Sequence, residues 1–113
     1  MGLTINSQLN GDIATLELAG RLWILDLPLR DVVHGLLENG AQFFIVNIER
    51  VDYMDSSGLG QLVSLWTSVR TKGGNLVLLR PSDRVRRLFS VTRLHVVFDV
   101  FQDQERALAS IRR

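Results

Sequence analysis

The chain has 113 residues, 46% of them hydrophobic and 22% charged, with a formal charge of +1 and no cysteine. Such a length and composition suit a single globular domain over residues 1–113 and exclude both a disordered chain and a second domain. Without cysteine there is no disulfide, thiol chemistry or Cys-based zinc site, and His34 and His95 stand apart without matching partners, so no metal or other cofactor is expected.

Leu3, Ile5 and Leu9 alternate along residues 3–9, and Ala14, Leu16 and Leu18 do so along residues 13–18. Asn10-Gly11 between them suits the positive backbone angles of a tight turn, so these segments read as a β-hairpin. Gly20 is expected to end the second strand, leaving residues 21–26 as a connection that carries Trp23. From Pro28 the period changes. Leu29, Val32, Val33, Leu36 and Leu37 form one helical stripe, closed by Asn39-Gly40. Residues 43–48 are nearly continuously apolar, the pattern of a strand covered on both faces.

A second stripe, Leu59, Leu62, Val63, Trp66 and Val69, runs to Lys72 and Gly73-Gly74. A short strand over 75–79 follows, then a helix opened by Pro81-Ser82 with Val85, Leu88 and Phe89 inward. Residues 96–101 read as a last strand, and Asp103 caps a final helix whose buried stripe is Ala107, Leu108 and Ile111. The order β-β-α-β-α-β-α-β-α predicts an α/β fold. An antiparallel hairpin joins β-α-β crossovers in one mixed sheet, covered by about four helices.

No apolar run approaches the roughly 20 residues needed to cross a bilayer, and the first residues lack the regions of a signal peptide. A soluble, cytoplasmic protein is the expectation. Residues 1–79 carry five Lys or Arg and eight acids, whereas residues 80–113 carry eight Arg and four acids. Arg84, Arg86 and Arg87 are read as a solvated helix face rather than a nucleic-acid patch, since one short cluster on a near-neutral chain attracts phosphate weakly.

Between the central strand and the second helix lies Val51-Asp52-Tyr53-Met54-Asp55-Ser56-Ser57-Gly58-Leu59-Gly60. A helix N-cap accounts for one serine and for the aspartate. It does not account for two glycines in the first turns, each costing about 1 kcal/mol of helix propensity. Small residues there let another surface, or a phosphate, approach the backbone, and strand-to-helix turns at the carboxyl edge of a parallel sheet commonly bind ligands. Either serine is a chemically competent acceptor of a phosphate.

Over nearly its whole length the sequence resembles the bacterial anti-sigma factor antagonists, whose STAS fold is shared with the cytoplasmic domain of sulphate transporters. The resemblance is carried by Leu18-Ala19-Gly20-Arg21-Leu22, by Asp55-Ser56-Ser57-Gly58-Leu59-Gly60, by Gly73-Gly74 before a strand, and by Val85-Arg86-Arg87-Leu88-Phe89. It implies a non-enzymatic binding module whose first motif serine, here Ser56, is phosphorylated by an anti-sigma factor that is itself a serine kinase. The unphosphorylated form binds that kinase and frees the sigma factor; phosphorylation breaks the complex and a serine phosphatase resets it. By the same resemblance Asp55, Ser56, Ser57, Gly58, Leu59, Arg21 and Trp23 form the partner surface, with Asp55 orienting and Gly58 giving access. Leu59, first of its apolar stripe, reads as core ahead of contact. Many relatives carry an acidic or small polar residue where this chain has Trp23, which fits either an interface anchor or a core residue.

A scaffold or signalling subunit with a different sensor or response-regulator partner is the alternative within the fold. The transporter form is disfavoured, because the chain begins and ends with the domain. A hydrolase built on Ser56 or Ser57 lacks a positioned base and the Gly-x-Ser-x-Gly elbow, and neither Gly58-x-Gly60 nor Lys72-Gly73-Gly74 makes a phosphate-binding fingerprint. An open sheet edge is compatible with a homo-oligomer.

Overall fold

The computed structural model describes residues 2–23, 28–93 and 97–112. Strands β1 (Leu3–Asn10) and β2 (Ile13–Leu22) form the opening hairpin. They are followed by α1 (Pro28–Glu38), β3 (Phe43–Met54), α2 (Ser56–Thr71), β4 (Asn75–Leu79), α3 (Asp83–Thr92), β5 (Val100–Phe101) and α4 (Gln104–Ser110). The sheet order is β1-β2-β3-β4-β5, antiparallel between β1 and β2 and parallel at every later step. The expected mixed α/β sheet is therefore present.

Crossovers between parallel strands are right-handed, so steps that advance one way across a sheet put their helices on one face. Accordingly Leu29 and Val33 of α1, Leu59, Leu62 and Leu65 of α2 and Phe89 of α3 share one core with Leu16, Phe44 and Leu78. Among the described residues, α4 is the helix on the other face, where Ala107 and Ile111 meet Ile45, Val77 and Leu79. Coverage from both sides explains why β3 and β4 begin as continuous apolar runs. Burial of a leucine-sized side chain stabilises by roughly 1.5–3 kcal/mol, so these two clusters hold the sheet in register.

Four details differ from the sequence expectation. Asn10 pairs with Ile13, so the hairpin loop is Gly11-Asp12, and only Gly11 has positive φ, at 61°. Glycine first in a two-residue loop is the II′ arrangement, whose twist matches the flanking strands. Secondly, β2 does not end at Gly20. Register shifts between Glu17 and Ala19 and between Gly20 and Arg21 absorb the irregularity, and pairing resumes with Arg21 opposite Tyr53 and Leu22 opposite Met54. β3 likewise continues past Ile48 through residues expected to be a turn.

Thirdly, the last strand spans two residues, and the start of the expected one, Val96, lies outside the described residues. Phe98 serves the core instead, stacked on Phe89 at 5.9 Å between ring centroids and edge-on to Trp66 at 6.4 Å. An apolar run does not by itself distinguish a strand from a core plug. Lastly, Leu108 is 41% exposed, because α4 meets the sheet through Ala107 and, at its C-cap, Ile111. Arg112 beyond it grips Asp12 with both guanidinium Nη atoms, at 2.6 and 2.9 Å, fastening the chain's end to the hairpin tip.

Candidate functional site

The parallel pairing of β2 and β3 brings their carboxyl ends side by side, and α2 starts at once from the end of β3. Asp55 is the N-cap: its backbone is extended, and its Oδ1 accepts the Gly58 N–H at 2.9 Å. The same oxygen accepts the Ser57 hydroxyl at 2.6 Å. Ser57, half-buried, is thus committed to supporting the cap. Ser56, first residue of the helix, is exposed and takes no part in it.

The Ser57 hydroxyl, and then the Gly58 N–H, hold the Asp55 carboxyl below the usual carboxylate range. Both donors stabilise the charged form, outweighing the small effect of burial. A depressed native value means that fewer protons bind in the folded state. The resulting stabilisation is complete above the unfolded value of about 4 and is lost as pH falls through the native one. Urea titrations at stepped pH are expected to show stability declining in acid, with a shallower decline for Asp55→Asn. At neutral pH, Asp55→Ala is expected to cost about 1 kcal/mol, the usual worth of an N-cap. A decline equally steep in Asp55→Asn would show that other carboxyls dominate.

Gly58 is buried, and a Cβ built on it would stand 2.0 Å from the Leu22 carbonyl oxygen and 2.7 Å from its carbon. The access expected at Gly58 is taken up by β2 itself, because α2 seats its first turn directly on that strand's backbone. Leu59 is 2% exposed and belongs to the core. Neither residue presents a side chain to a partner. Gly60, by contrast, is exposed, and a Cβ there would meet nothing within 4 Å. The open small-residue surface of this turn therefore lies at Ser56 and Gly60.

Arg21 is exposed on the last stretch of β2, and Trp23 just beyond it is half-buried. The Arg21 guanidinium carbon lies 5.9 Å from the Trp23 ring centroid and 5.8 Å from that of Tyr53. Tyr53 is 38% exposed. The Gln61 side-chain amide donates to the Trp23 carbonyl, tying this stretch to α2. Tyr53 and Gln61 carry no role in the sequence reading. No simple periodicity marks Tyr53, because past Ile48 the burial along β3 does not alternate: Val51 and Met54 are buried, while Asp52 and Tyr53 are exposed.

Among the described residues no group of three or more His, Asp or Glu is placed to hold a metal. His34 is half-buried on α1, and His95 lies outside the described residues. Arg84, Arg86 and Arg87 are exposed on α3, with Arg84 donating to the Asp52 carbonyl at 3.4 Å. No helix among the described residues is long and apolar enough to cross a membrane.

Residues 5–107 match the family model of the STAS domain. The chain is 33% identical over 106 residues to the anti-sigma-B factor antagonist of Bacillus subtilis strain 168, covering 93% of this chain and 96% of that protein. Among solved structures, it resembles an anti-sigma factor antagonist from Mycobacterium paratuberculosis with a TM-score of 0.83 at 15% identity, over 99% of this chain and 96% of that one. The Bacillus cell fate determinant SpoIIAA in its phosphorylated form gives a TM-score of 0.73 at 22% identity, over 94% and 97% of the two chains.

Proposed function

The chain belongs to the STAS domain family, and on that premise we propose that it is an anti-sigma factor antagonist switched by phosphorylation of Ser56. In its unmodified form it binds an anti-sigma factor that is a serine kinase, and so controls release of a sigma factor; a serine phosphatase restores it. The observation that carries this reading is the division of labour between the two serines. Ser57 spends its hydroxyl on Asp55, whereas Ser56 is exposed at the first position of α2. The name of the Bacillus subtilis relative supports the same reading.

A phosphate on Ser56 brings about −1.5 to −2 charge and three acceptor oxygens. It follows Asp55 directly and comes four residues after the exposed Asp52. A partner surface shaped for a hydroxyl then meets bulk, like charge and the cost of desolvating both. Within the domain the same phosphate sits at the positive end of the α2 dipole, which stabilises an anion by roughly 0.3–1 kcal/mol. Binding is lost while the fold is kept.

The test is mass spectrometry after incubation with ATP and the serine kinases of the source organism. One phosphate is expected in the wild type and in Ser57→Ala, and none in Ser56→Ala. A phosphate that persists in Ser56→Ala would reassign the acceptor. A folded chain that no kinase modifies would replace the switch by a constitutive scaffold.

A further inference from the structure

Arg21 is an exposed cation on a central strand, and among the described residues no carboxylate forms an ion pair with it. Its setting is built rather than incidental. The register shift between Gly20 and Arg21 re-aims the strand just before this residue, as bulges do beside functional sites. The guanidinium carbon then lies over the rings of both Trp23 and Tyr53, at 5.9 and 5.8 Å from their centroids. Two aromatic contacts restrict the long side chain, which stays exposed, and this lowers the ordering cost of engaging a ligand.

This cluster is joined to the turn that bears Ser56 by two contacts. The Gln61 amide holds the Trp23 carbonyl, and the first turn of α2 rests on Leu22 at Gly58. These contacts fix the backbone that carries Arg21 and Trp23 against the start of α2, whose first residue is Ser56. We propose that Arg21, braced by Trp23 and Tyr53, is the recognition cation for an Asp or Glu side chain on the kinase that binds at Ser56. The inference rests on the partner-switch reading above and adds the charge of the partner's surface.

A planar guanidinium bound edge-on to a carboxylate supplies two parallel hydrogen bonds, and the neighbouring rings of Trp23 and Tyr53 help exclude water from such a pair. The proposal also accounts for the direction of the switch. A partner that is acidic where it meets Arg21 is repelled by a phosphate introduced at the start of α2.

The experiment measures binding of the unphosphorylated chain to the kinase found by the phosphorylation assay, at low and high salt. Arg21→Glu is expected to weaken the complex about a hundredfold, and Arg21→Lys, which keeps the charge but loses the planar fork, about tenfold. The wild-type affinity should fall with salt more steeply than that of Arg21→Gln. A kinase Asp or Glu replaced by Lys should restore binding to Arg21→Glu and to no other variant. Thermal melts of each variant show that the fold is intact, and Arg21→Gln carries the test where charge reversal disturbs folding. A wild type that binds while Arg21→Glu and Arg21→Gln bind equally well overturns the role of Arg21 alone. A wild type that neither binds nor is phosphorylated by any of the kinases overturns the partner switch, and the acidic partner with it.

Discussion

Replacing Gly58 by alanine is expected to destabilise the domain by about 3 kcal/mol, lowering its melting temperature by roughly 10–15 °C. The added methyl would stand 2.0 Å from a backbone oxygen of β2, and neither the strand nor the helix can yield by rotating a side chain. Relief requires α2 to lift off the sheet, which also disturbs the Asp55 cap and the buried Leu59. Gly60→Ala, two residues further along the same helix, is expected to act in the opposite sense. Open space surrounds its Cβ, so the gain in helix propensity raises stability by about 0.5–1 kcal/mol. Chemical denaturation of both variants checks the pair. A neutral Gly58→Ala would mean that α2 does not seat on Leu22.

Ser56→Asp is expected to reduce affinity for the kinase partner about a hundredfold while leaving the melting temperature within about 2 °C of wild type. An anion at the first position of α2 faces the positive end of the helix dipole, so the fold accepts it. Only the bound state suffers, through like charge and desolvation at the interface. Ser57→Ala is expected to behave in the reverse way. Losing the hydroxyl that donates to Asp55 at 2.6 Å costs about 1 kcal/mol of stability, yet Ser56 remains modifiable. Titration calorimetry against the kinase, alongside thermal melts, separates the two serines. Equal effects of both substitutions on binding would show that the partner reads the whole turn rather than Ser56.

Much of this was legible in the sequence because the signals are local. A 3.6-residue period marks α1, α2 and α3, and continuous apolar runs mark β3 and β4. Ser82 and Asp103 do cap α3 and α4, by accepting the N–H groups of Val85 and Arg106. What failed were boundaries that depend on non-local pairing. β2 continues past Gly20 and β3 past Ile48 because each supplies the other's ladder at the carboxyl edge. Neither segment reads as strand alone, since Gly20 and Asp52 both disfavour it. Leu108 failed for a similar reason: its periodicity suits a helix, but which helix residues meet the sheet is set by how α4 docks, and Ala107 and Ile111 take those places.

The order of elements, the mixed sheet and the place of the Asp55–Gly60 turn can be read from the residues in chain order. Each follows from hydrophobic period, turn chemistry and the handedness of crossovers, none of which requires knowing distant neighbours. Tertiary structure alone decided that Ser57 is held by Asp55 while Ser56 is exposed. It decided too that Gly58 yields its space to Leu22 and that Arg21 contacts the rings of Trp23 and Tyr53. Two of these, Gly58 against Leu22 and Arg21 beside Tyr53, arise between segments far apart along the chain, whereas the Ser57–Asp55 bond is local and only its choice between two adjacent serines waits for the folded turn. Local propensity is blind to the two distant contacts, because they are made only when the sheet has assembled.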